Sequence, residues 1–308
     1  MSEPLGMLVI DKPPGCTSHD VVLKVRRCLN CRAGHTGTLD PQATGVLLVC
    51  IGKATRLTRF LQHRDKVYEG TVRLGWATDT YDADGAQIGE VVPAPELTLA
   101  QVEGAVERFV GEIDQVPPVY SAKKIRGQPA YKRARRGEQV VHEPTRVTIH
   151  WIQVLEVGQG RIRLRVRCGP GTYLRTLAHD LGTALGCPSH LEALRRLSVA
   201  EFDLQGAILW DELLEAPPQD ILARAMEPAE MLPSWAFVTL NEQGAQVLRN
   251  GGVIEPRYVI ERGVGAGGAV VTGSGKAQWA KLLDPKHRML AAAEVLPGGI
   301  LQPRVVLG

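Results

Sequence analysis

Apolar and polar positions alternate along this chain with two different periods. Met7-Leu8-Val9-Ile10 is a short apolar run that reads as a strand, ended by the turn residues Asp11-Lys12-Pro13-Pro14-Gly15. Val21, Val22, Val25, Cys28 and Leu29 then recur at helical spacing, with Thr17 or Ser18 placed to cap that helix. A second apolar run, 46–51, predicts a buried strand. Lys66–Leu74 alternates more loosely and still reads as a strand, 97–110 reads as a helix, and 145–168 as a two-stranded hairpin. Gly169-Pro170-Gly171-Thr172 turns the chain into a helix with Leu174, Leu177, Ala178 and Leu181 on one side and Thr172 as its cap. Pro217, Pro218, Pro228 and Pro233 mark 215–235 as linker-like. From Trp235 onward, short β segments alternate with Gly-rich turns, the pattern of a small β-barrel of roughly seventy residues.

A chain of 308 residues can bury a large core and divide into two domains. No apolar run approaches the length of a membrane span, and the N-terminal residues lack the basic and apolar regions of a signal peptide, so a cytoplasmic protein is expected, with a monomer as the default. The six cysteines do not form a secreted disulfide framework. Cys28 and Cys31 make a lone CxxC without a second ligand pair, so reduced thiols are expected and no metal site.

The net charge of +3 is mild, but its distribution is uneven. Residues 122–137 hold seven cations (Lys123, Lys124, Arg126, Lys132, Arg133, Arg135 and Arg136) and no acid, interleaved with Tyr and Gly. Such a run fits an arm over a phosphate backbone better than an ordinary solvated face. Arg161, Arg163, Arg165 and Arg167 alternate with Ile162, Leu164, Val166 and Cys168, which puts all four cations on one face of a strand. With no acid in the strand itself, that face is either solvated or turned towards RNA. Gly263–268 matches GxGxxG, but a strand-like run follows where a dinucleotide site needs a helix, and Gly275-Lys276-Ala277 lacks the hydroxyl of a P-loop.

The residues with the clearest chemical content lie in His35-Thr36-Gly37-Thr38-Leu39-Asp40-Pro41-Gln42-Ala43-Thr44-Gly45. A single carboxylate, Asp40, is presented in a loop of small and hydroxylated residues beside a buried strand; Pro41 biases it towards extended backbone, and Gly37 and Gly45 permit tight turns or close approach. Arg175 falls in the first turn of a helix, where a cation opposes the helix dipole and needs a carboxylate or phosphate partner. Asp79, Asp82 and Asp84 cluster around a turn and read as a loop or a weak cation site. Together with Tyr68 and the basic arm, these residues suggest an RNA-directed enzyme that uses one Asp, without naming its reaction.

Seven motifs in order resemble the TruB family, the bacterial tRNA pseudouridine synthases that act on the T-loop uridine (tRNA position 55). They are Asp11-Lys12-Pro13, His35 through Pro41, Lys66-Val67-Tyr68, Arg73-Leu74-Gly75 with Thr78-Asp79-Thr80, Pro117 through Ala122, Gly171-Thr172-Tyr173-Leu174-Arg175, and Leu194-Arg195-Arg196-Leu197. The resemblance implies an α+β fold: a pseudouridine synthase domain with a mixed, mainly antiparallel sheet over 1–232, a thumb loop at 116–142, and a PUA-like RNA-binding barrel over 233–308. It implies that uracil is detached from ribose, turned and rejoined through C5, with no metal or organic cofactor. Asp40 would attack the sugar or remove its C2′ proton, kept ionised by Arg175, and Tyr68 would stack on the base, with a part in proton transfer as a second implied role. Tyr173 and Leu194 would line the uracil pocket, His35 would fill the space left by flipped nucleotides, and Lys12 would support the Asp40 loop. Lys123, Lys124, Arg126, Arg133, Arg135 and Arg136 would contact the RNA. The implied partner is the T-arm of tRNA, with no membrane and no obligatory protein partner. Two rivals stay open: an RNA-binding folding helper without catalysis, and an RNA-guided synthase of a ribonucleoprotein.

Overall fold

A computed structural model of the chain describes residues 3–119, 143–265 and 278–307, together with the backbone of 124–125 and 128–129. In chain order the strands are β1 (Gly6–Lys12), β2 (Ala33–His35), β3 (Thr44–Ile51), β4 (Lys66–Leu74), β5 (Ala77–Thr78), β6 (Gln87–Ile88), β7 (Gly111–Gln115), β8 (Lys124–Ile125), β9 (Gln128–Pro129), β10 (Thr145–Gly158), β11 (Arg161–Cys168), β12 (Ser189–Val199), β13 (Phe202–Asp203) and β14 (Ile208–Leu209). The main sheet runs β14-β1-β3-β12-β4-β11-β10-β7, with β2 added on β3 and β13 on β12. Its pairings are antiparallel except for β1–β14 and β3–β12, so the mixed, mainly antiparallel α+β sheet expected from the family motifs is what forms.

The centre of this sheet is apolar on both faces. Strand β3 is buried along almost its whole length because its alternate residues serve two cores. Val46, Leu48 and Cys50 face one core, while Leu47, Val49 and Ile51 face another that includes Val21, Val22 and Val25 of the helix Ser18–Leu29. Thr17 caps that helix in a reciprocal box with Asp20, which satisfies first-turn donors. A third core packs Leu177, Ala178 and Leu181 of the helix Leu174–Ala184 onto Val72, Leu164 and Val166 of β4 and β11. Thr172 does not cap this last helix; Tyr173 is its N-cap residue, without a side-chain cap bond, and the Thr172 hydroxyl donates to Gly169 O at 3.0 Å. The Thr172 hydroxyl thus closes the Gly169–Gly171 turn instead of the helix end.

The C-terminal part forms a second, mixed sheet, β16-β15-β17-β18-β19, from β15 (Ala236–Leu240), β16 (Val259–Gly263), β17 (Gln278–Leu283), β18 (Met289–Val295) and β19 (Leu301–Val306). An isolated bridge joins Ile254 to Leu301. This sheet is packed on the first through Leu283, Met289 and Val305, which share a core with Met7, Val46 and Leu57. The thumb-loop cations and most of the Gly-rich stretch after Gly263 lie outside the described residues, apart from the β8–β9 backbone pairing. No helix among the described residues is long and apolar enough to cross a membrane. All six cysteines are free, Cys28 and Cys31 included.

The arginine face of β11 departs from the RNA-facing alternative. Each cation meets an acid on a neighbouring element: Arg161 with Glu192 at 2.7 Å, Arg163 with Glu156 at 3.5 Å, Arg165 with Glu69 at 3.0 Å, and Arg167 with Asp65 at 2.9 Å. The acids are distant in sequence or across the hairpin, so sheet register neutralises a row that looks purely basic along its own strand.

Candidate active site

Asp40 stands in a loop that three contacts fix from behind. The buried Ser18 hydroxyl accepts from Leu39 N at 2.8 Å and donates to Leu39 O at 3.1 Å. On the other side of Asp40, the ammonium of the wholly buried Lys12 donates to Pro41 O at 2.9 Å and to Pro13 O at 2.8 Å. Gly15 N donates to the same Pro41 carbonyl at 3.0 Å. Burial pushes the Lys12 ammonium below its ordinary value, partly countered by the Cys16 and Asp40 charges.

Gly45 has a specific reason to lack a side chain. Its φ is +101°, and an added Cβ would meet the Arg196 carbonyl oxygen at 2.1 Å. The glycine therefore allows β12 to lie against β3, at the pairing Arg196–Gly45. That pairing brings the 194–196 segment beside the Asp40 loop.

Arg175 reaches Asp40 from the helix Leu174–Ala184. Its Nε lies 3.0 Å from Asp40 Oδ2 and its Nη2 3.2 Å from Oδ1, a two-point grip. Its Nη1 lies 3.3 Å from Asp82 Oδ2 and donates to Thr80 O at 3.2 Å. The Asp79–Asp84 loop is thus held by internal bonds and by Arg175: Asp79 accepts from Ala86 N at 2.8 Å, and Asp82 from Asp84 N at 3.1 Å. Among the described residues, no cluster of His, Cys, Asp and Glu is arranged to hold a metal.

The electrostatic balance at Asp40 differs from the implied one. Arg175 and Lys12 pull its carboxyl down, but burial raises it more and the nearby Asp82 charge adds to the rise, so the net shift is upward. The carboxylate still keeps 40% of its side-chain surface, while the Arg175 side chain keeps only 6%. The acid is therefore the presented member of the pair and the cation the buried one.

A cavity of about 310 Å³ opens above Asp40, within the ~300–1,000 Å³ range usual for small-molecule sites. His35, Tyr68, Tyr173, Leu194 and Arg175 all line it, so these sequence-selected residues converge from β2, β4, the Leu174–Ala184 helix region and β12. Tyr68 is almost entirely buried, and burial pushes its phenol up against the opposing pull of Arg196. The backbone of Tyr173 is clamped by Gln115, which accepts from Tyr173 N at 2.7 Å and donates to its carbonyl at 3.0 Å. His35 is lowered by burial and by the Arg196 and His19 charges, which favours its neutral form. Lys12 lies behind the loop and does not line the cavity.

Ser18, Lys66, Asp82 and Arg196 belong to this neighbourhood, although none of them was expected from sequence to have a role beside Asp40. Lys66 and Arg196 line the cavity; Ser18 and Asp82 hold the loop and the arginine. Lys66 carried a legible signal: it is in phase with Tyr68, Val72 and Leu74, the buried side of β4. A cation in the inward phase of a strand is a functional pointer. Ser18 looked like a second cap candidate, and Asp82 like a turn residue.

The matching family models are the TruB family pseudouridylate synthase N-terminal domain, over residues 24–174, and the tRNA pseudouridylate synthase B C-terminal domain, over 175–232. The chain is 46% identical to the tRNA pseudouridine synthase B of Solibacter usitatus over 248 residues, covering 80% of this chain and 84% of that one. It is 39% identical to the tRNA pseudouridine synthase B of Pseudomonas putida over 306 residues, covering 97% of this chain and 94% of that one. A chain in the crystal structure of a Cbf5-Nop10-Gar1 complex superposes with a TM-score of 0.73 over 99% of this chain and 85% of its own, at 23% identity, a likeness of fold. With the Asp40 loop, its arginine and the cavity above them in one sheet-borne site, the chain belongs to the TruB family of pseudouridylate synthases.

Proposed function

We propose that the protein converts a uridine in the T-loop of tRNA, at position 55, to pseudouridine, with Asp40 as the reacting carboxylate. The observation that carries this reading is the presented Asp40 carboxylate, gripped by a buried Arg175 at the edge of a cavity that Tyr68 lines. A base in a folded tRNA elbow is out of reach of such a cavity, so the nucleotide flips out of its stack at a cost of a few kcal/mol. Asp40 then acts on the sugar, by attack at C1′ or by removal of the C2′ proton. Either role requires the ionised form, and Arg175 supports it against burial.

Tyr68 stacks on the flipped base, and Tyr173 and Leu194 bound the pocket around it. His35, which lines the cavity and is favoured neutral, occupies the space vacated in the RNA. Lys12 holds the Asp40 loop through Pro41 O. The cations Lys123, Lys124, Arg126, Arg133, Arg135 and Arg136 contact the T-arm backbone, and residues 233–308 serve as a PUA-like RNA-binding unit appended to a catalytic domain of residues 1–232. The enzyme works as a monomer in the cytoplasm, without cofactor or obligatory protein partner.

The test uses unmodified tRNA transcripts carrying tritium at uridine C5, since rejoining through C5 releases that hydrogen. Stoichiometric release from a transcript with uridine at position 55, and none when cytidine replaces it, supports the assignment. Equal release from both transcripts overturns the T-loop target.

A further inference from the structure

Two buried cations at the cavity have no carboxylate partner among the described residues. Arg196, 1% exposed, donates from Nε to Val46 O at 2.7 Å and from Nη2 to Gly37 O at 3.1 Å. Lys66, 8% exposed, donates to Gln62 O at 2.8 Å and to Arg64 O at 2.6 Å, which engages two of its three ammonium protons. Both side chains lie beneath Gly37: from the point where a Cβ on Gly37 would sit, Arg196 Nη1 is 3.6 Å away and Lys66 Cε 3.9 Å. The nearest acid in sequence, Asp65, is engaged by Arg167 at 2.9 Å and His150 at 3.1 Å. Carbonyl dipoles, with the Tyr68 phenol against Arg196, hold this pair. Two like charges side by side in a buried site are costly unless a negative charge arrives.

The proposed reaction delivers one. When the C1′–N1 bond breaks, its electron pair leaves with N1, and the detached base is an anion with charge spread over O2 and O4. That holds whether Asp40 attacks the sugar or removes its C2′ proton. The base then turns, and C5 bonds to C1′ as the Asp40–C1′ ester bond breaks or, on the other route, as C2′ takes its proton back from Asp40; the C5 hydrogen leaves as a proton and N1 takes one up, so the isomerisation balances.

We infer that Lys66 and Arg196 form a preorganised cationic floor that stabilises the detached uracil anion while it turns. The inference rests on the function proposed above. Fixed cations aimed at charge that appears only during reaction act on turnover and not on ground-state binding.

The groups facing Lys66 are Arg196 from β12, Cys168 from β11, Asp65 and Tyr68 from its own strand and its approach, and His35 and Asp40 across the cavity. Burial, with Arg196 second, pushes Lys66 down to about 8, while Cys168 is pushed up to about 11 and Tyr68 above its ordinary value. The floor therefore loses Lys66's charge as pH rises through about 8.

The experiment measures single-turnover tritium release and tRNA affinity against pH for wild type, Lys66→Met and Lys66→Arg. The expected result is a roughly 10²-fold lower rate for Lys66→Met with tRNA affinity within about twofold of wild type. Lys66→Arg, which keeps its charge, retains the rate at neutral pH and loses the wild-type decline above the Lys66 titration. A Lys66→Met enzyme with the wild-type rate overturns the inference, as does a Lys66→Arg enzyme with an unchanged alkaline limb. Wild type that releases no tritium from any tRNA overturns the function itself and the inference with it.

Discussion

Arg175 joins Asp40 to Asp82: its Nε and Nη2 grip the two oxygens of Asp40 at 3.0 and 3.2 Å, and its Nη1 lies 3.3 Å from Asp82. One planar guanidinium thereby ties two loops to the first turn of the helix Leu174–Ala184. The cation that looked misplaced at a helix N-terminus is compensated by two carboxylates from elsewhere in the chain. A lysine could not keep this fork, because an ammonium offers no fixed pair of parallel donors.

Asp40→Asn is expected to bind tRNA with near wild-type affinity and to release C5 tritium at least ~10²–10⁴-fold more slowly, the range for loss of a positioned acid–base or nucleophilic group. Filter binding and single-turnover tritium release check the two halves separately. Normal turnover by this variant would remove Asp40 from the mechanism.

The acid limb of the rate reports the same carboxylate. Because Asp40 must be ionised and its folded pKa is raised, the rate falls as pH drops through a value above the ordinary 3.8. Arg175 lowers that pKa and Asp82 raises it. Arg175→Gln therefore moves the acid limb to higher pH, and Asp82→Asn moves it to lower pH. Shifts of the same sign in both variants would show that the limb belongs to another group.

Two sets of arginines should behave differently towards salt. Those of β11 are matched by Glu192, Glu156, Glu69 and Asp65, so Arg163→Gln with Arg165→Gln should leave the dependence of tRNA affinity on salt nearly unchanged. Neutralising Arg133, Arg135 and Arg136 should flatten the slope of log affinity against log salt by about 0.7–0.9 for each phosphate that the arm no longer neutralises. A flattened slope for the β11 pair, or none for the 133–136 triple, would reverse the assignment.

Gly45→Ala is expected to cost at least ~1–3 kcal/mol from backbone strain at positive φ alone. The added methyl would also run into Arg196 O, since the separation there is 2.1 Å. Thermal unfolding should show a clear drop in Tm, with the β3–β12 pairing opened. A Gly45→Ala protein as stable as wild type would mean that the two strands can separate without loss.

Local pattern was enough for much of the scaffold. The apolar run of β3, the helical spacing of Val21, Val22 and Val25, and the Thr17 cap are all short-range properties of neighbouring residues, and they form as that spacing dictates. Asp40 was legible for the same reason, because its loop chemistry lies within a few residues of it. Pairings between distant segments were not: β11 looked uniformly basic until sheet register set Glu69, Glu156 and Glu192 beside it, and Thr172 looked like a cap until the turn at Gly169 took its hydroxyl. Nor could any local pattern show that Lys66 and Arg196, far apart along the chain, lie under one glycine, or that burial outweighs Arg175 at Asp40. Sequence determined which groups were present and which face of each element they occupy; the tertiary structure decided their partners and their charge balance, because burial and Coulomb energies depend on distance in space.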